Sequence, residues 1–296
     1  MPRQPAPALA DALNAWFEDA ARPLPWRAAD VSPWAVLVSE FMLQQTQVAR
    51  VVPRWEAWLD RWPTPASLAA EPPAEAVRAW DRLGYPRRAL WLHRAAVEIV
   101  ERHGGEVPAD LDDLLALRGV GQYTARAVAA FAFGRRHPVV DTNTRRVIAR
   151  AVLGQAHPAP PSTARDLADM AALLPESDAA ARVFNAAAME LGATVCTART
   201  PRCDACPIAP ACAWRQAGYP PYDGPRMRVQ ARFEGSDRQA RGFVMRELRA
   251  AHRPVARREL AGSWPDAAQL DRAIAGLVAD GLAIAGDDAA LGLPDA

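Results

Sequence analysis

The chain contains no lysine, and each of its 35 basic residues is an arginine. A composition rich in alanine and proline points to coding bias as the cause. The chemical consequence stands regardless: no side-chain amine is available to form a Schiff base, so a mechanism built on a lysine nucleophile is excluded. Long apolar runs are absent too. Nothing approaches the roughly 18 residues of a membrane span. The N-terminus, MPRQPAPALADALNAWF, lacks the blocks of a secretion signal. A cytoplasmic protein without a membrane partner is expected. Net charge is nearly absent, at +1, so no global signature of nucleic-acid binding exists. Strand signals are sparse before residue 225, which predicts an all-α body.

Cysteine is scarce but concentrated. Its four copies, Cys196, Cys203, Cys206 and Cys212, fall in CTARTPRCDACPIAPAC with the spacing C-x6-C-x2-C-x5-C. Without a secretion signal, such clustering favours metal ligation over disulfides. Four thiolates suit zinc or an iron–sulfur cluster. Only Cys203 and Cys206 make a C-x2-C knuckle, and the uneven spacing leans toward [4Fe–4S].

Charge is also concentrated. Arg118, Arg126, Arg135, Arg136, Arg145, Arg146 and Arg150 face one acid, Asp141, between Leu115 and Arg150, a local balance of +6. A phosphate backbone would select such a surface, and a solvated helix face explains it equally well. Within it, LRGVGQYTARA puts two glycines just ahead of an alanine-rich helical run, a turn in general suited to phosphate.

Half of the chain is apolar, and its length allows two or three domains. SPWAVLVSEFMLQQTQVARVVPRWEAWLD reads as helix interrupted at Pro53. AEAVRAWDRL, RRALWLHRAAVEIVERHG, LDDLLAL, YTARAVAAFAFG and TRRVIARAVLG read as further amphipathic helices. Trp26, Trp34, Trp55, Trp58, Trp62, Trp80 and Trp91 are assigned to core and interfaces. A linker follows at 216–228. Beyond it, SDRQARGFVMRELRAAHRPV, ARRELAGSW and DAAQLDRAIAGLVADGLAIAG predict three helices and then a hairpin ending near Leu293. That order suits a winged-helix-like module or, equally, a plain packing or dimerisation module.

Two carboxylates stand out. Glu40 shares a predicted helix face with Val36, Leu37, Leu43 and Gln44, and an acid there is costly unless paired or functional. Burial raises a carboxyl's proton affinity, which suits a general acid. Asp141, in PVVDTNTRR, fits a helix N-cap on local grounds.

Taken together, LPWR, SEFMLQQTQV, RLGYPRRA, GVGQYTA, VVDTNTRR, MELGATVC and the cysteine spacing resemble the adenine DNA glycosylase (MutY) family of the helix-hairpin-helix DNA glycosylase superfamily, over residues 10–215. The resemblance implies a two-lobed all-α fold. A six-helix barrel with the hairpin would span 31–137, and an iron–sulfur domain 8–30 and 138–215. A winged-helix-like module at 229–296 would stand where many relatives carry a Nudix-like domain. It implies removal of adenine opposite 8-oxoguanine or guanine from double-stranded DNA by a monomeric, nucleoid-associated enzyme. Glu40 and Asp141 would be the catalytic pair, assisted by Tyr123 and Asn143. Trp26, Arg27 and Leu43 would lie near the adenine pocket, and Gln44, Gln45 and Tyr85 would enter the duplex. Arg118, Gly119, Val120 and Gly121 would meet a phosphate. The four cysteines would hold [4Fe–4S]. The superfamily's lyases place a lysine where this chain has Tyr123, so base removal without strand cleavage is implied. Thymine removal from T·G mispairs and a non-catalytic DNA-binding module are the alternatives.

Overall fold

A computed structural model describes residues 6–225, 232–286 and 290–294. Parts of the expected linker and of the final hairpin's turn lie outside them. The body is helical: α1 (Ala6–Ala20), α2 (Pro33–Leu43), α3 (Val48–Arg61), α4 (Pro65–Ala69), α5 (Pro73–Trp80), α6 (Arg87–His103), α7 (Leu111–Ala116), α8 (Gln122–Phe131), α9 (Thr142–Ala151), α10 (Thr163–Ala171), α11 (Asp178–Thr194) and α12 (Ala213–Gln216). The chain divides into two compact units. The first comprises Met1–Val36, Ala109–Leu115 and Val120–Met227. The second comprises Leu37–Pro108, Ala116–Gly119 and Arg228–Ala296.

In the first unit, α11 packs on α1 and α9. Leu13, Ile148, Phe184 and Leu191 fill the space between them. The sequence DAAARVFNAAAMELGAT has strong helix propensity but little polar–apolar alternation, so α11 leaves no clear period along the chain. In the second unit, α6 packs on α4 and α5. Trp58 meets Trp62 and Trp80 edge-on at 4.7 and 5.8 Å, a geometry that aromatic quadrupoles favour. Trp34, Trp55, Trp58, Trp62 and Trp80 are buried, whereas Trp26 and Trp91 are only half so.

The expected break at Pro53 is absent. α3 runs through it, and the chain breaks instead at Gln44–Gln47. Pro53 forfeits only the bond to the Ala49 carbonyl. Both residues are exposed there, so water can take that bond.

The last segment of the second unit holds α13 (Asp237–Ala250), β1 (Val255–Ala256), α14 (Arg257–Ala261), α15 (Ala267–Ala279), β2 (Ile284–Ala285) and β3 (Ala290–Gly292). The strands form one antiparallel sheet in the order β1-β3-β2. This helix–strand–helix–helix–hairpin order is that of a winged helix. The two-residue strand β1 is too short to leave a period in the sequence, so only the hairpin was expected.

Candidate active site and cysteine loop

α2, PWAVLVSEFML, is apolar almost all round and is buried along its centre. Glu40 lies within it at 4% exposure, between Ser39 and Phe41, both fully buried. A carboxyl in that setting is retained against its desolvation cost. Leu43 and Gln44 are half-buried at the helix end, and Gln45 is exposed with φ +54°.

One buried arginine organises that end. Arg88 donates from Nη1 to the carbonyls of Phe41 (2.7 Å), Met42 (3.1 Å) and Gln44 (2.6 Å). From Nη2 it reaches Thr46 Oγ1 and the Gly84 carbonyl, both at 3.0 Å. It thereby satisfies the orphan carbonyls of α2 and ties loop 44–46 to turn 81–86. Burial pushes its guanidinium down to about 10, with Tyr85 opposing the shift, so it stays charged at neutral pH. That turn carries positive φ at Asp81, Gly84 and Tyr85 (+47°), and the Tyr85 ring is half exposed. The Trp80 indole donates to the Gly84 carbonyl at 3.0 Å, and Arg54 pairs with Asp81.

The helix-hairpin-helix turn joins α7 to α8. Gly119 has φ +79°, and a Cβ there would lie 2.6 Å from the Trp91 Cβ and 3.1 Å from a Phe41 ring carbon. Glycine at 119 is therefore required from inside the fold. Gly121 differs. Its backbone is extended, nothing lies within 4 Å of an added Cβ, and it is the N-cap of α8. A glycine N-cap leaves the helix N-terminus without a side-chain acceptor, the arrangement that receives an anion. The Arg118 amide donates to the Glu98 carboxylate at 2.7 Å, and Val120 is buried.

Asp141 is the N-cap of α9, as local sequence suggested. Its Oδ1 accepts from the Thr144 amide and hydroxyl, each at 2.7 Å, and its Oδ2 accepts from Asn143 Nδ2 at 2.8 Å. A carboxylate so held cannot swing, and the cap does not preclude chemistry. Asn143 is oriented in turn by Arg146, which donates to its Oδ1 (2.8 Å) and to the carbonyls of Gly192 (2.6 Å) and Cys196 (2.7 Å). Burial depresses the Arg146 pKa, and Cys196 and Asp141 oppose that shift. The glycine of MELGATVC now has a reason: a Cβ on Gly192 would lie 2.7 Å from the Asn143 Cβ. Arg146 and Gly192 were missed in the sequence because their role is to hold another side chain. The segment before Asp141 is fixed by fully buried Asn185, which accepts from the Val139 amide at 2.9 Å and donates to the His137 carbonyl at 3.0 Å. Tyr123, at the start of α8, packs partly buried against Ala127, Ala130 and Val139.

Trp26 and Arg27 lie in a single-turn helix, Pro25–Arg27. Arg27 donates to buried Glu190 at 2.9 Å, and Arg22 pairs with the same carboxylate. Burial would raise the Glu190 pKa, but the two arginines outweigh it and hold it below the usual range.

All four cysteines line one pocket, together with Arg150, Arg202, Trp214 and Arg215. Arg150 is buried and bonds the loop by donating to Cys196 Sγ (3.5 Å) and to the carbonyls of Thr197 (2.7 Å) and Ala198 (3.0 Å). Burial pushes the Cys206 thiol up to about 11, against a bond from the Ile208 amide and with the other three cysteines adding. Cys212 is raised by burial in the same way. Bound metal reverses that preference because thiolates are its ligands. Among the described residues, no group of three His, Cys, Asp or Glu side chains is drawn together around a single point. Four thiols lining one pocket are donors suited to zinc or to an iron–sulfur cluster.

Residues 38–172 match the HhH-GPD superfamily of base excision DNA repair proteins. The fold shares a TM-score of 0.65 with the structure of a thermostable thymine-DNA glycosylase, at 26% identity, over 72% of this chain and 97% of that one. This is the fold of a helix-hairpin-helix DNA repair protein. Within that class, the chain is 55% identical to an adenine DNA glycosylase of Mycobacterium tuberculosis, over 95% of this chain and 92% of the relative. It is 56% identical to that of Mycolicibacterium smegmatis, over 91% and 90%. The chain belongs to the adenine DNA glycosylase family.

Proposed function

We propose that this protein removes adenine mispaired with 8-oxoguanine or guanine by hydrolysing its N-glycosidic bond. The observation that carries this reading is identity of 55% across 95% of the chain to a relative named for adenine. The site chemistry supports it. The target base must leave the stack. Glu40, in its apolar helix, donates a proton to adenine N7, and the C1′–N9 electron pair departs with a neutral base. Asp141, held still by Asn143 and Thr144, stabilises the positive charge left on the sugar, or bonds to it transiently. Water then adds to C1′ and passes its proton to Glu40. Asn143 orients this site, and Tyr123 hydrogen-bonds within it. No amine stands at position 123, so the strand is left uncut.

Gln44, Gln45 and Tyr85 enter the duplex at the mispair. Trp26, Arg27 and Leu43 border the base pocket. The hairpin 118–121 receives a phosphate, which positions the duplex without reading sequence. Cys196, Cys203, Cys206 and Cys212 hold a [4Fe–4S] cluster, which when bound supplies iron–thiolate bonds that cross-link their loop. The enzyme acts as a monomer in the cytoplasm, on nucleoid DNA.

Glu40→Gln and Asp141→Asn are expected to lower excision on an A·8-oxoguanine duplex by about 10²–10⁴-fold while mispair binding persists. Wild-type turnover in either variant refutes the mechanism. Iron and acid-labile sulfide in the purified protein check the cluster, and stoichiometric zinc rejects it. The similarity to a thymine-DNA glycosylase keeps thymine in view. Release of thymine from T·G but no adenine from A·8-oxoguanine or A·G would replace the reading.

A further inference from the structure

The C-terminal segment 232–294 has the order of a winged helix, a shape often used to read DNA, yet most of its arginines pair within it. Arg232, Arg241, Arg246, Arg253, Arg257 and Arg272 each pair with an acid of the same segment. α15, the helix before the hairpin, reads AAQLDRAIAGLVA. Its one arginine and one acid cancel, and both are engaged elsewhere in the module. Phosphate binding rests on an excess of cations that release counterions, and this helix has no excess of positive charge.

Polar contacts of the module reach the two helices that flank the turn bearing Tyr85. Arg78, on α5 just before that turn, donates from Nη1 to the carbonyls of Leu248 (3.3 Å), Arg249 (3.0 Å) and Ala251 (2.8 Å). These are carbonyls of the last turn of α13 and its cap, which have no helical partner of their own. Arg87, the first residue of α6 and two positions after Tyr85, pairs with Asp280 at 3.3 Å, and Arg241 holds the same carboxylate. Arg249 is half-buried beside Asp81 and Arg82, whose charges act on it in opposite senses. The module therefore grips both helices that flank residues 81–86. From the other side the turn is held by Arg88, Trp80, Arg54 and by Arg50, which donates to the Arg82 carbonyl.

We infer that the C-terminal module is an internal brace that fixes the Tyr85 turn for mispair interrogation, and not a second DNA-reading surface. The role in interrogation rests on the function proposed above; the brace itself does not. Arg78 and Asp280 are positioning residues. The test uses the full chain with Arg78→Met and, separately, Asp280→Asn. Amide hydrogen exchange at residues 81–86 is expected to quicken about tenfold, with exchange in α11 unchanged. Preference for A·8-oxoguanine over a matched duplex is expected to fall about three- to tenfold. The slope of log affinity against log salt stays as in the wild type. In Arg253→Gln/Arg257→Gln/Arg258→Gln the slope also stays. A loss of about one in slope per arginine removed would make the module a DNA contact and overturn the inference. Unchanged exchange at 81–86 in both single variants would overturn it as well. If the wild type releases no adenine, the proposed activity falls, and the exchange measurement still decides the brace.

Discussion

Three tight turns in this chain meet the same steric problem in two ways. The hairpin turn at 117–121 needs a left-handed residue and uses glycine, Gly119 at φ +79°. The turn at 81–86 and the loop after α2 place side-chain-bearing residues in the same region, Tyr85 at +47° and Gln45 at +54°. An L-residue pays about 1–2 kcal/mol for that conformation. Where the chain presents only backbone, glycine removes the strain. Where the residue carries a phenol or an amide, the strain is offset by hydrogen bonds, chiefly the three that Arg88 makes to the two segments, at Gln44, Thr46 and Gly84. Strain that is actively held in place is a mark of a working site.

The contrast is most easily broken at Gly119. Gly119→Ala adds a left-handed penalty to a close approach onto the Trp91 Cβ, and is expected to destabilise by about 3 kcal/mol or more. Chemical denaturation measures it, and a cost under about 1 kcal/mol would show that Trp91 can yield. Arg88→Met leaves α2 carbonyls buried and unpaired, so a loss of about 2–3 kcal/mol is expected, together with reduced mispair preference. If stability falls and preference does not, Arg88 supports the core alone.

Gly121→Ala sharpens the hairpin side. Nothing in the fold opposes the methyl, so stability should move by only about 0.5 kcal/mol, the difference between alanine and glycine at an N-cap. If a phosphate approaches this backbone, duplex affinity should still drop about tenfold, equal to roughly 1.4 kcal/mol. Unchanged affinity would remove residue 121 from the DNA contact. Tyr85→Gly is the smallest in stability. Released strain and added chain entropy nearly cancel, and a change within about 0.5 kcal/mol is expected. Excision from mispairs should suffer nonetheless.

Much was legible without coordinates. The missing lysine, the clustered cysteines and the run LRGVGQYTARA are local facts of composition and spacing, and they bear directly on reaction type and donor set. Helices α8 and α9 follow from periodicity, whereas α11 does not. Asp141 as a cap was readable because capping involves residues three apart. Arg88, Arg146, Asn185 and Gly192 were not readable, since most of their partners lie far along the chain. An arginine that ties two loops together looks in sequence like any other arginine of a solvated face.

The same division separates the two glycines. Their presence in the motif is a matter of sequence. That Gly119 answers to Trp91 and Phe41 while Gly121 answers to nothing within the fold is a matter of packing, set by which helices stand against the turn. The C-terminal segment shows it again. Its helical pattern belongs to the sequence, whereas its grip on α5 and α6 through Arg78 and Asp280 arises only when distant segments meet, because hydrogen bonds and excluded volume act through space and leave no period along the chain.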